Sequence, residues 1–203
     1  MNELKLQCQI TPMPEPLPLF NVQMTFWCYQ TSGILSAKVL EQACFSAIAT
    51  ASASVSWTRG VPDNEGLSRH EEAINAVRLI ANSVDVPVSA DIEKGFGKTP
   101  SEVGETVRLV MEAGAVGINI EDGISDGQRP IQGVIQARIA AARSAAAGFP
   151  VWINARVDTY LLGKSGNAAF ADTLARASIF EHGNFRCMKD AANFAKLNNA
   201  MKQ

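Results

Sequence analysis

Strand-like runs begin near residues 46, 87, 116 and 150, and helical segments lie in the intervals between them. That alternation constrains the chain more than any other feature. Neighbouring parallel strands need a crossover of about a dozen residues or more, usually a helix, and no hairpin signal offers an antiparallel alternative. The expected architecture is α/β with a parallel sheet, either a (β/α)8 barrel or an open, doubly wound sheet. A dinucleotide site has no support. Gly95-Phe-Gly97 lacks the third glycine of that fingerprint, and no G-x-x-x-x-G-K-[ST] loop occurs.

Residues 1–32 read as an irregular arm, because Pro12, Pro14, Pro16 and Pro18 forbid a helix or a central strand. The aromatic run Phe26-Trp-Cys-Tyr-Gln30 that follows has no clear period. Residues 33–183 carry the strand–helix alternation, and 184–203 read as a helical tail. Ser36 to Ala43 has a helical pattern, Phe45 to Thr50 reads as a strand, and a polar loop with Gly60, Pro62 and Gly66 comes next. Ser68-Arg-His-Glu71 and Thr99-Pro-Ser-Glu102 are capping boxes, the second with proline at the first helical position. The helices they open place Ile74, Val77, Ile80 and Val84, then Val103, Val107, Val110 and Met111, on one face each. An alanine-rich helix from about Ile131 to Ala147, the strand Val151 to Arg156 and a helix from Asn167 to about Glu181 complete the pattern.

Ligands of such sheets bind at the carboxyl ends of the strands. Asp91, Glu93, Glu121, Arg156 and Asp158 all fall there. A period of two puts Asp91 with Glu93, Asn119 with Glu121, and Trp152 with Asn154 and Arg156, each set on one face. Clustered carboxylates repel unless a cation, an arginine or a proton intervenes. Oxygen donors without thiol or imidazole suit Mg²⁺ or Mn²⁺ better than zinc. Arg156 suits a substrate carboxylate held in a bidentate fork. The alternatives are loop caps for the single carboxylates and, for Arg156, an ion pair with Glu121 or Asp158.

Composition narrows the class. The 203 residues are 47% hydrophobic, enough for one domain with its own core, and the net charge of −2 leaves no footprint for nucleic acid. No apolar run is long enough to span a membrane, and the N-terminus has no signal-peptide pattern. Cys8, Cys28, Cys44 and Cys187 show no metal-type spacing, so the expectation is a reduced, cytoplasmic protein. His70, expected to be exposed, and His182 are the only histidines, and neither neighbours a nucleophile motif.

The segments Ser36-Ala-Lys-Val-Leu-Glu-Gln-Ala43, Val61-Pro-Asp-Asn-Glu-Gly-Leu-Ser68, Val88-Ser-Ala-Asp-Ile-Glu-Lys-Gly-Phe-Gly97, Gly117-Ile-Asn-Ile-Glu-Asp122 and Ile153-Asn-Ala-Arg156 occur in order over about 140 residues. Together they resemble the isocitrate lyase and phosphoenolpyruvate mutase superfamily. The resemblance implies a (β/α)8 TIM-barrel type with Mg²⁺ (or Mn²⁺) at its carboxyl-terminal mouth. It implies small 2-oxo or 2-hydroxy carboxylic acids as substrates, with a C–C bond beside the carbonyl cleaved through a stabilised enolate. Asp91 would be the direct metal ligand, and Glu93 and Glu121 would hold the ion largely through water. Asp63 and Arg156 would be catalytic, with Thr50, Ser52, Asn154 and Arg156 binding the substrate.

Several departures qualify the resemblance. The loop Gly123 to Pro130 has none of the Lys, Cys and His of the isocitrate and methylisocitrate lyases, and the mutase loop is missing too. The nearest pattern is the branch that acts on dimethylmalate-like or oxaloacetate-like acids. That branch has a hydroxyl where this chain has Ala51. Tyr29 to Leu35 does not match the family's first strand, and the closing strands are not recognisable. The terminal helix that family homo-oligomers exchange is not recognisable either. The expectation is thus an incomplete barrel, with an inactive remnant of the family or a P–C bond enzyme of the phosphonopyruvate type as alternatives.

Overall fold

The computed structural model describes residues 28–45, 47–62, 70–123, 132–146 and 151–181. Five strands run parallel: β1 (Cys28–Thr31), β2 (Ala47–Thr50), β3 (Val88–Asp91), β4 (Gly117–Glu121) and β5 (Trp152–Arg156). Their order in the sheet is β1-β2-β3-β4-β5, each pairing with the next in sequence. A doubly wound sheet reverses its strand order at a switch point, whereas a (β/α) barrel adds strands in one direction. The sequential order is therefore an arc of a barrel, which decides between the two architectures that the alternation permits.

Helices α1 (Ile34–Gln42), α2 (Ser52–Trp57), α3 (His70–Ala81), α4 (Pro100–Glu112), α5 (Gln132–Ala145) and α6 (Gly166–Glu181) fill the connections. One face of the sheet carries Ile48, Val88, Ala90, Ile118, Ile120, Ile153 and Ala155, all buried. Val77, Val103, Val107, Val110, Ile135 and Ile139 of the helices pack with those of β3, β4 and β5 other than Val88, while Ile48 and Val88 pack with Ala37, Ile80 and Val84 in a second cluster. Each fully buried aliphatic side chain of this kind contributes about 1.5–3 kcal/mol. The other face is the polar one. It holds the half-buried Ser89, Asn119, Asn154 and Arg156, and Trp152 at 44% exposure.

Local sequence explains the element boundaries near this face. Thr99 accepts from the backbone N–H of Glu102, whose carboxylate accepts in return from the N–H groups of Thr99 and Lys98 at 2.8 and 2.7 Å. The capping box is thus closed and fixes where α4 begins. Gly97 must lack a side chain, since a Cβ there would stand 2.6 Å from that of Glu102. On the far side of α4, a Cβ at Gly104 would come within 3.3 Å of the Ala141 carbonyl oxygen. That close approach is why α5 is rich in alanine.

Several expectations need correcting. Cys28–Thr31, read as part of the irregular arm, is the strand β1, paired in register with Ala47–Thr50. Ser52–Trp57, read as the start of a polar loop, is helix α2. His70 is half-buried, with Nε2 3.2 Å from the Thr106 hydroxyl and its ring 5.7 Å from that of Phe96. Cys44 is disulfide-bonded, against the expectation of four thiols. The capping box at Ser68, His182 and the tail 184–203 lie outside the described residues. Among the described residues no helix is long and apolar enough to cross a membrane.

Candidate active site at the strand carboxyl ends

The register of the sheet aligns the predicted residues in rows. Asp91 is level with Asn119, Asn119 with Asn154, and Glu121 with Arg156. In the first row the side chains form a hydrogen-bonded chain over four strand ends. The Thr50 hydroxyl accepts from the backbone N–H of Asp91 at 2.9 Å. Asp91 Oδ2 accepts from the Ser52 hydroxyl at 2.9 Å and from the Ser52 N–H at 3.2 Å. Its Oδ1 accepts from the N–H of Glu93 at 3.1 Å and from Asn119 Nδ2 at 3.3 Å. Asn119 Oδ1 in turn accepts from Asn154 Nδ2 at 2.7 Å. Asp91 can only accept, so the whole line of amides is directed toward it.

Glu93 reaches this site by a turn. β3 ends at Asp91, and Glu93 follows in the left-handed region at φ 50°, the place where period-two reasoning would keep it on the strand. A glutamate in that conformation carries backbone strain, and such strain clusters at functional sites. Glu93 is buried nonetheless, and with Thr50, Ser52 and Asp91 it lines a cleft. The ion pair of Arg59 with Glu72 stands at the same cleft.

The second row is ionic. Arg156 pairs with Glu121 across the β4–β5 register, and with Asp158 through Nε to Oδ1 at 2.6 Å and Nη2 to Oδ2 at 3.2 Å. Both ion pairs offered as alternatives for Arg156 are therefore made. They engage Nε and Nη2, and Nη1 makes no hydrogen bond to the described residues. The structure thus brings Thr50, Ser52, Asp91, Glu93, Glu121, Asn154 and Arg156 to one end of the sheet. Asp63 lies outside the described residues.

Sequence reasoning gave no role to Asn119 or Asp122. Asn119 shares the face of Glu121 by period, and that was the available signal. Asp122 is buried just past β4 and accepts from the N–H of Asp158 at 2.7 Å.

Among the described residues no three acidic, imidazole or thiol side chains converge as a ligand cage. Mg²⁺ does not require one, because it keeps several waters and takes one or two carboxylates with its substrate. The donors are hard oxygens throughout, and the buried Glu121 Oε2 makes no hydrogen bond beside its ion pair. The oxygen donors of Asp91, Glu93 and Glu121 fit Mg²⁺ by their chemistry.

A family model for phosphoenolpyruvate phosphomutase matches residues 25–183. Phosphonopyruvate hydrolase of Variovorax sp. is 33% identical over 139 residues, 64% of this chain and 47% of that protein. The crystal structure of a phosphonopyruvate hydrolase with oxalate and Mg²⁺ superposes with TM-score 0.70 at 28% identity, over 81% of this chain and 58% of that one. The crystal structure of 2,3-dimethylmalate lyase gives TM-score 0.73 at 19% identity over 86% and 61%, a likeness of fold. The chain spans between 36% and 53% of the length of curated relatives that it matches. On the match over residues 25–183 and the site at the strand ends, the chain belongs to the phosphoenolpyruvate phosphomutase family.

Proposed function

We propose that the chain forms the substrate- and Mg²⁺-binding part of a lyase that cleaves a C–C bond beside the carbonyl of a small 2-oxo or 2-hydroxy dicarboxylic acid. The observation that carries this reading is the line of directed donors converging on Asp91, with Arg156 one row beyond it. Mg²⁺, when bound, supplies a Lewis acid for the substrate carbonyl oxygen. Asp91 would hold the ion directly, with Asn119 giving up its 3.3 Å bond to Oδ1, and Glu93 and Glu121 would bind its waters. Arg156 would orient one substrate carboxylate through Nη1, while Asp158 and Glu121 keep the guanidinium in plane. Thr50, Ser52 and Asn154 would line the substrate's other side, and Asp63 would take or return the proton at the cleaved carbon.

A coupled assay for pyruvate or glyoxylate release from oxaloacetate, 2,3-dimethylmalate and other malate-like acids tests the reading. The expected result is turnover of at least one acid, stopped by a chelator. Arg156→Ala should lower kcat/KM by about 100-fold, the order expected for losing a buried charge-assisted contact. Phosphate release from phosphonopyruvate alone would move the reading to P–C cleavage, toward the hydrolase it resembles. Ligand binding with no turnover of any acid would leave an inactive family member.

A further inference from the structure

A second layer of buried charge lies behind Arg156. Asp158, which holds the guanidinium by two bonds, is itself fixed from the backbone: its N–H donates to Asp122 Oδ1 at 2.7 Å. Asp122 Oδ2 accepts from Arg176 Nη1 at 3.0 Å. Arg176 Nε donates to Asp172 Oδ1 at 3.0 Å, and Asp172 Oδ2 accepts from the Thr159 hydroxyl at 2.9 Å. The loop 157–159 is thereby tied to the end of β4 at one side and to α6 at the other. Asp122 is 1% exposed and Thr159 fully buried.

Buried ion pairs are a costly way to fasten a loop. Apolar side chains of the same volume often do it as well or better, because the charges must be stripped of water. What charge adds is direction. A carboxylate that accepts from a specific N–H and a specific guanidinium nitrogen fixes the loop's orientation, and with it the Asp158 carboxylate that aims Arg156.

We infer that Asp122 and Arg176 are positioning residues that set the orientation of the Arg156 guanidinium toward a ligand carboxylate, acting through Asp158. This rests on the reading of Arg156 as the carboxylate-binding group, and it adds two residues and a helix, α6, to the machinery that serves it.

The test uses the full chain, with oxalate as the probe and Mg²⁺ present. The Arg156 Nε–H resonance, assigned by its loss in Arg156→Lys, reports the guanidinium without any ligand. In Asp122→Asn it should move toward the position of a free arginine and lose its protection from exchange. Oxalate should bind about tenfold more weakly in that variant, while the Mg²⁺ affinity stays as in wild type. In an Arg156→Ala background, Asp122→Asn should change oxalate binding by less than about twofold, because the two residues act as one unit. Should Asp122→Asn fail to fold, Arg176→Lys keeps the charge, loses the planar fork and carries the same expectations. A folded variant with an unchanged Arg156 signal overturns the inference, as do losses that multiply in the double variant. If Arg156→Ala binds oxalate like wild type, the carboxylate-binding reading fails, and the Nε–H signal still decides whether Asp122 and Arg176 position Arg156.

Discussion

Asn119 shows most clearly how single residues build this site. Its amide lies between an acceptor-only carboxylate on β3 and a donor amide on β5, so its orientation is fixed from both sides. Replacing it by aspartate would put a second carboxylate against Asp91 at the same separation. Like charges that close raise the pKa of one group in the folded state. A raised folded pKa means the penalty is small in acid, where the unfolded chain is also protonated, and grows as pH rises through the carboxylate range. Asn119→Asp should therefore cost about 1–3 kcal/mol by urea unfolding at pH 7, and much less near pH 4. A cost independent of pH would mean that the two side chains do not face each other. The gathering of Asp91, Glu121 and Arg156 at the strand ends is legible in the sequence because strand period and chain position suffice to group them. Asn119 and Asp122 are not, since their part depends on which strand becomes whose neighbour, and on the loop after β5 folding back to β4.

At the scale of elements, legibility follows how local the cause is. The start of α4 is written in four consecutive residues, and the structure closes that capping box as expected. The backbone N–H groups of Thr99 and Lys98 hold the Glu102 carboxyl below its ordinary range. A depressed folded pKa gives stability that is present above the unfolded value and lost as pH falls through the folded one. Thr99→Ala should thus lower stability by about 1 kcal/mol at pH 7. Glu102→Gln should be more costly at pH 7 than at pH 3; equal cost at both would remove the reciprocal bond from the account. By contrast β1 and α2 are opaque to sequence reasoning. Cys28–Thr31 is too short and aromatic-flanked to show a period, and it becomes a strand by pairing with β2. Helix α2 has Ala51 as its N-cap residue, which offers no side-chain cap, so the usual start signal is missing. Glu93 is a third case, since its left-handed turn breaks the period that a strand would impose.

For the whole molecule, repeated strand–helix units and their glycine and proline punctuation establish a parallel sheet, and strand order makes that sheet a barrel arc. Order depends on long-range pairing, which no local pattern encodes. The consequence is a two-faced sheet, with an aliphatic face covered by helices and a polar face whose upper rows carry Asp91, Asn119, Glu121, Asn154 and Arg156, with Thr50, Ser52 and Glu93 beside them. The central claim is that the upper end of this face is a Mg²⁺ site centred on Asp91. A ligand that binds the native state raises its stability by an amount set by its concentration relative to Kd, about 2.7 kcal/mol at 100 times Kd. The most direct measurement is the melting temperature of wild type and Asp91→Ala, each with and without millimolar Mg²⁺ and oxalate. The account predicts a rise with Mg²⁺ in wild type, a further rise with oxalate, and neither in Asp91→Ala. Equal shifts in both proteins, or none in wild type, would contradict it.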